Sequence, residues 1–148
     1  LAQDIDIGIR GHGMGAELNS RLRLASGHGF DLTASPFVGG GLIPNHQDNG
    51  GALRFPMGVR ALVGWHAPAG LDLTVGAVAT FEPQAGMNDT HRSQVLASPG
   101  AMFSTQFPLS DTLRVNLEVN AHLPYGLGQG QWQAPILQGG VALKWLAF

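Results

Sequence analysis

The sequence predicts an all-β fold, a closed eight-stranded antiparallel up-and-down transmembrane β-barrel, and three observations carry that expectation. Apolar and polar residues alternate with a period of two along most of the chain, which is the period of a strand. Charged residues make up only 12% of the 148 residues, against about 25% in an average protein. No apolar run in the chain approaches the ~20 residues that a membrane helix needs. A chain too poor in charge to clothe a water-exposed surface, yet lacking a spanning helix, suits strands that cross a membrane. Residues 1–148 read as one domain, with no linker, no repeat beyond the hairpin and no low-complexity tract.

Each element follows from the alternation. The first strand sets Ile5, Ile7 and Ile9 against Asp4, Asp6, Arg10 and His12. The second sets Leu18, Leu22 and Leu24 against Glu17, Asn19, Arg21 and Arg23, and the third sets Phe30, Leu32, Ala34 and Val38 against Asp31, Thr33 and Ser35. The fourth opposes Leu53, Phe55, Met57, Val59, Ala61, Val63 and Trp65 to Arg54, Gly58, Arg60 and His66. In the fifth, Leu71, Leu73, Val75, Ala77, Ala79 and Phe81 face away from Asp72, Thr74, Gly76, Thr80 and Glu82. The sixth is weaker, with Val95, Ala97, Ala101, Phe103 and Phe107 against Ser98, Gly100, Ser104 and Gln106. Residues 112–125 show the pattern most cleanly: Leu113, Val115, Leu117, Val119, Ala121 and Leu123 alternate with Arg114, Asn116, Glu118, Asn120 and His122. A helix would scatter these residues around its circumference, whereas a strand separates them onto two faces. The last strand spans residues 132–148, and its phase slips near Ile136 and Leu137, which predicts a bulge there.

The connections alternate in length. Turns at 26–29, 67–70 and 109–111 are tight, loops at 39–51 and 82–92 are long, and 126–131 is intermediate; the short connection at 13–16 is the exception. Short turns on one rim and long loops on the other are how outer-membrane barrels are built. Both chain ends then fall on the short-turn side, which would be periplasmic. Leu1-Ala2-Gln3 suits the remnant of a signal-peptide cleavage site.

Charge decides which face points inward. Asp4, Asp6, Glu17, Asp31, Asp72, Glu82 and Glu118 share the polar faces with Arg10, Arg21, Arg23, Arg54, Arg60, Arg114 and Lys144. Asp48, Asp89, Arg92 and Asp111 fall in loops, and no charge falls on the apolar face. A balanced set of arginines and carboxylates suits a cramped lumen in which each charge needs a partner. Gly8, Gly58, Gly64, Gly76 and Gly100 are expected to make room for the arginines. Trp65, Phe107, Trp145 and Phe148 gather near one rim, and Phe55, Phe81, Tyr125 and Trp132 near the other, as interfacial girdles do.

The chain closes on Trp145-Leu146-Ala147-Phe148, and a terminal Phe on an alternating strand resembles the assembly signal of bacterial outer-membrane barrels. The whole chain resembles the small eight-stranded class with OmpA-type and OmpX-type architecture. That resemblance implies a Gram-negative outer membrane, contact with its lipid, and a role as a non-enzymatic anchor, scaffold or partner-binding subunit with a plugged lumen and loops on the outer rim. A partner would be a protein; no basic run marks a nucleic-acid surface.

Chemistry has few footholds. With no Cys there is neither a disulfide framework nor a thiolate metal site. His12, His28, His46, His66, His91 and His122 show no metal-ligand spacing, so neither a metal nor another cofactor is expected. His91 and Ser93 would share a strand face, where the His could activate the hydroxyl. This pair resembles the His-x-Ser of outer-membrane lipid A deacylases, which also use a downstream Glu; the next acid here is Asp111, in a turn at the opposite rim, and Glu82 or Asp89 could substitute only if the fold brings one of them to His91. Pro36, Pro56, Pro99 and Pro135 interrupt strands in the outer half, and proline cannot donate to a ladder. Proline-bounded lateral gaps resemble those of the outer-membrane palmitoyltransferase. A lipid-modifying enzyme of deacylase or acyltransferase type is therefore the alternative function.

Overall fold

A computed structural model describes residues 5–12, 15–44, 51–68, 70–87, 93–111 and 113–145. Its strands are β1 (Ile5–His12), β2 (Gly15–Gly27), β3 (Phe30–Pro44), β4 (Gly51–Arg54), β5 (Met57–His66), β6 (Asp72–Gly86), β7 (Gln94–Pro108), β8 (Leu113–His122), β9 (Tyr125–Gly126), β10 (Gln131–Trp132) and β11 (Ile136–Trp145). All ladders are antiparallel and belong to one sheet.

The count of strands exceeds the expected eight because proline interrupts three of them. β4 and β5 lie end to end between β3 and β6, forming a closed circuit of ladders around the break at Phe55-Pro56. β8 and β9 both pair with β7 on either side of Leu123-Pro124. β10 and β11 are separated at Gln133-Ala134-Pro135. Joined in this way, the ladders run through eight legs in chain order.

The sheet is rolled into a barrel-like form. Residues from β1 to β8 and from β11 line a common cavity. Among the described residues, no ladder joins β1 to β11. These two edges are instead bridged by Arg10 on β1, whose Nη1 lies 2.6 Å from Glu118 Oε1 on β8, on the far side of β11.

Several local details differ from expectation. β3 runs on to Pro44, and β6 runs on to Gly86, so much of the expected loops 39–51 and 82–92 is strand. A β-bulge sits between Arg23 and Ala25 of β2. The phase slip near Ile136 is the interruption before β11, and β11 pairs with β8 without a shift from Ile136 to Trp145. The tight turn at His28-Gly29 has φ of 52° and 79°. Two successive positive φ values match the right-handed twist of a hairpin, and Gly29 adopts such a φ without a steric penalty. Both ends of the described chain lie at the end of the barrel that carries this turn, because Ile5 pairs with Leu22 and Trp145 with Leu113.

The two faces separate as the alternation requires. Ile7, Leu18, Val38, Val59, Val63, Val75, Phe103, Leu117 and Val119 are exposed, whereas Glu17, Thr33, Ser35, Arg60, Ser98, Ser104 and Glu118 are buried. Charged residues are almost never buried unless paired, so each buried charge on this face needs a partner inside.

Candidate functional site: the barrel interior

The interior is layered along the legs. Nearest the short turns is a polar rim. Arg114 Nη1 donates to Asp72 Oδ2 at 2.9 Å across β7, and Gln106 Nε2 donates to the same oxygen at 3.2 Å. The His66 ring lies between two carboxylates, with Nδ1 2.7 Å from Asp72 Oδ1 and Nε2 3.2 Å from Asp31 Oδ2. Only an imidazolium donates from both nitrogens. Sequence analysis found no metal-ligand spacing at His66 and assigned it no other role. The signal that could have found it is the register, since a residue at a strand end meets carboxylates on both neighbouring strands.

Above the rim lies a small apolar cluster of Phe37, Leu62, Val78 and Met102. These four residues were missed because each stands on the polar face of its strand. Four glycines open the space beneath this face. A Cβ at Gly58 would meet Ala79 O and the Phe37 ring, one at Gly76 would meet Ala61 O and Leu62, one at Gly64 would meet Asp31, and one at Gly100 would meet Ala121 O and His122. Room is therefore made for rings, Leu62 and Asp31 and not for the expected arginines.

Toward the loop end, the interior opens into a cavity of about 330 Å3. Its charges come as matched pairs. Arg60 grips Glu17 through two hydrogen bonds of 2.8 and 2.5 Å, and both residues are buried, at 7% and 4% exposure. The Arg60 guanidinium also sits 4.0 Å over the Phe37 ring, a favourable cation–π placement. Arg10 pairs with Glu118, and Asn120 Nδ2 donates to the same carboxylate oxygen at 2.6 Å. Arg54 lies 4.0 Å from Glu82. Phe37, Ile43, Pro56, Val78 and Ile136 supply the apolar part of the wall.

The other expected site residues fall as follows. Arg21 and Arg23 share the face of Glu17 but are exposed. Asp4, His46, His91 and Phe148 lie outside the described residues, and the side chains of Asp6, Lys144 and Trp145 likewise. Ser93 is exposed ahead of β7. Phe55, Trp65, Phe81 and Trp132 are exposed, Phe107 and Tyr125 are half-buried, and the Tyr125 and Trp132 rings meet at 4.9 Å. Among the described residues, no group of His, Cys, Asp or Glu could hold a metal ion.

Comparisons with protein-family models, curated proteins and solved structures found no match for the chain. Its chemistry therefore rests on its own geometry. The sequence left open whether the prolines bound a lateral gap, and at Pro36 and Pro56 the wall is continuous. Pro36 pairs in register with Val59, Gly39 N donates to Pro56 O at 2.7 Å, and Phe55 N donates to Pro83 O at 3.0 Å. The wall is also continuous at Pro99, whose carbonyl accepts from Leu123 N at 2.9 Å.

Proposed function

We propose that the chain is an eight-stranded transmembrane barrel of a bacterial outer membrane, with its short turns periplasmic, acting as a non-enzymatic anchor or scaffold that presents its loop end to a partner. One observation carries this reading: the protein is inside out. Its outward face is a belt of exposed Val, Leu, Ile and Phe, while Arg10, Arg60 and Arg114 pair with Glu118, Glu17 and Asp72 on the inward face. Single exposed apolar residues are normal, but a contiguous apolar belt marks a surface that meets lipid or another apolar partner. β5, β8 and β11 are each 10 residues long, within the ~9–11 residues that a tilted strand uses to cross the hydrocarbon. Trp65 and Phe30 pair in register toward the turn end, and Phe81 pairs with Met57 toward the loop end. The apolar band therefore has aromatic residues at both limits, as membrane interfaces favour.

The test uses the protein's own tryptophans in vesicles of brominated phosphatidylcholine. Trp65, Trp132 and Trp145 are expected to be quenched more strongly by bromines near the headgroups than by bromines at the chain ends. Equal, weak quenching at every depth, with the protein folded in buffer without detergent, would replace the membrane reading by a soluble barrel.

A further inference from the structure

We infer that the cavity toward the loop end is a binding site for a small, uncharged, hydroxyl-rich molecule, a saccharide of one or two rings. The inference goes beyond the anchor reading and holds whether lipid or water surrounds the wall. Register fixes which side chains face the cavity. Glu118 is buried on the inward face of β8, and alternation carries Asn116, Asn120 and His122 onto that same face. Val78 is buried on the inward face of β6, so Thr80 and Glu82 share it, and Thr80 stands opposite the buried Ser98 of β7. Each of these residues borders the cavity.

The arginines of the wall are already matched. Arg60 grips Glu17 through two hydrogen bonds, Arg10 pairs with Glu118, and Arg54 lies 4.0 Å from Glu82. A charged ligand would have to leave water for a site with no surplus of the opposite sign, and nothing there offsets its lost hydration. What the wall offers instead is neutral hydrogen bonding. Thr80 and Ser98 present hydroxyls, and Asn116 and Asn120 present amides; both kinds of group donate as well as accept. The approach continues in the same chemistry. Gln133 Nε2 donates to Gln94 Oε1 at 3.4 Å, Gln94 Nε2 to Gln84 Oε1 at 2.8 Å, and Gln84 Nε2 to Glu82 Oε1 at 2.6 Å. This chain of amides links the segment between β10 and β11 to the cavity wall.

Size and contour narrow the ligand further. The cavity measures about 330 Å3, at the small end of the ~300–1,000 Å3 range of ligand pockets. At ~30 Å3 for each water, such a space holds on the order of ten of them. A molecule that displaces ordered water gains only if it reproduces the hydrogen bonds lost. A saccharide does so with its hydroxyls, and an apolar chain does not. Ile43 and Val78 supply an apolar patch against which the C–H face of a sugar ring can lie.

The test uses the full chain folded in lauryldimethylamine oxide micelles, whose headgroup carries no sugar, with saturation-transfer NMR as the readout. Glucose and sucrose are expected to bind saturably. Glucosamine and glucuronate, the charged counterparts of the same ring, should bind at least tenfold more weakly. Thr80→Val and Asn116→Leu remove a bonding group with little change of volume, and each should weaken glucose or sucrose binding at least tenfold. Leu127→Ala, at an exposed position outside the cavity, should leave it unchanged. Heat-modifiable migration checks that every variant is folded. Absence of saturable binding of both sugars to the folded chain would overturn the inference. Binding that survives both cavity variants would also overturn it, because the sugar then sits elsewhere. Tighter binding of either charged sugar would overturn the argument from matched charges and the ligand class with it. None of these outcomes bears on the membrane reading, which the quenching experiment tests separately.

Discussion

At the residue scale, the interior depends on groups that are stable only as sets. Glu17 and Arg60 are each buried and satisfied by the other. Breaking such a pair from one side leaves an uncompensated charge, at a cost of about 3–5 kcal/mol, while replacing both members by apolar residues is often neutral. Arg60→Met is thus expected to lower unfolding stability by about that amount, and Arg60→Met with Glu17→Leu to recover most of it. Urea titration in detergent, monitored by heat-modifiable migration on gels, measures both. Independent, additive losses would show that the two residues are not coupled. Gly58 offers a second case. A methyl group there meets the backbone oxygen of Ala79 and the Phe37 ring, neither of which can rotate away. Gly58→Ala should therefore destabilise by about 1–3 kcal/mol as an overpacked site. The same change at Gly140, where space is open, should leave the urea midpoint unmoved. Equal effects at the two positions would refute the cradle under Phe37.

At the element scale, the strands alternate in function as well as in polarity. Leu117 on β8 is exposed and pairs with Thr105 and Val141, while its neighbour Glu118 is buried beneath Arg10. Leu117→Arg or Val75→Arg should cost about 2–4 kcal/mol if these residues lie near the bilayer midplane. Unfolding from lipid vesicles should show that cost, and a soluble barrel would show almost none. The alternation of hydrophobic with polar residues made the strands legible in the sequence, and β8 is the clearest instance. The same alternation concealed Phe37, Leu62, Val78 and Met102. An apolar residue on a polar face looks like noise in a period-two pattern, until rolling brings four such faces together.

At the scale of the whole molecule, the rolled sheet is filled in its lower part by the apolar cluster and the Arg114–Asp72–His66–Asp31 network. An eight-stranded barrel has an interior just wide enough for side chains to fill. Planar-bilayer recordings are accordingly expected to show no steady ohmic conductance, even though a cavity exists toward the loop end. Stable open channels would mean that the lower layer does not seal the lumen. The ladders connect neighbours in chain order, but bringing β1 round to β8 and β11 is a long-range event. Loop-closure entropy must be met before such contacts stabilise the fold.

Reading residues in one dimension was enough to establish strand identity, the tight turns and which residues share a face. Each depends only on local spacing and on the preferences of Gly and Pro. Tight turns at 67–70 and 109–111 and the His28-Gly29 hairpin belong to this class. Partners across the barrel do not. That Arg60 meets Glu17, that His66 sits between Asp31 and Asp72, and that Arg10 meets Glu118 depend on register and curvature. Charge balance along the chain shows that pairs are needed, but many pairings satisfy the same balance. Only the rolled sheet selects among them, because a guanidinium reaches across one intervening strand and no farther.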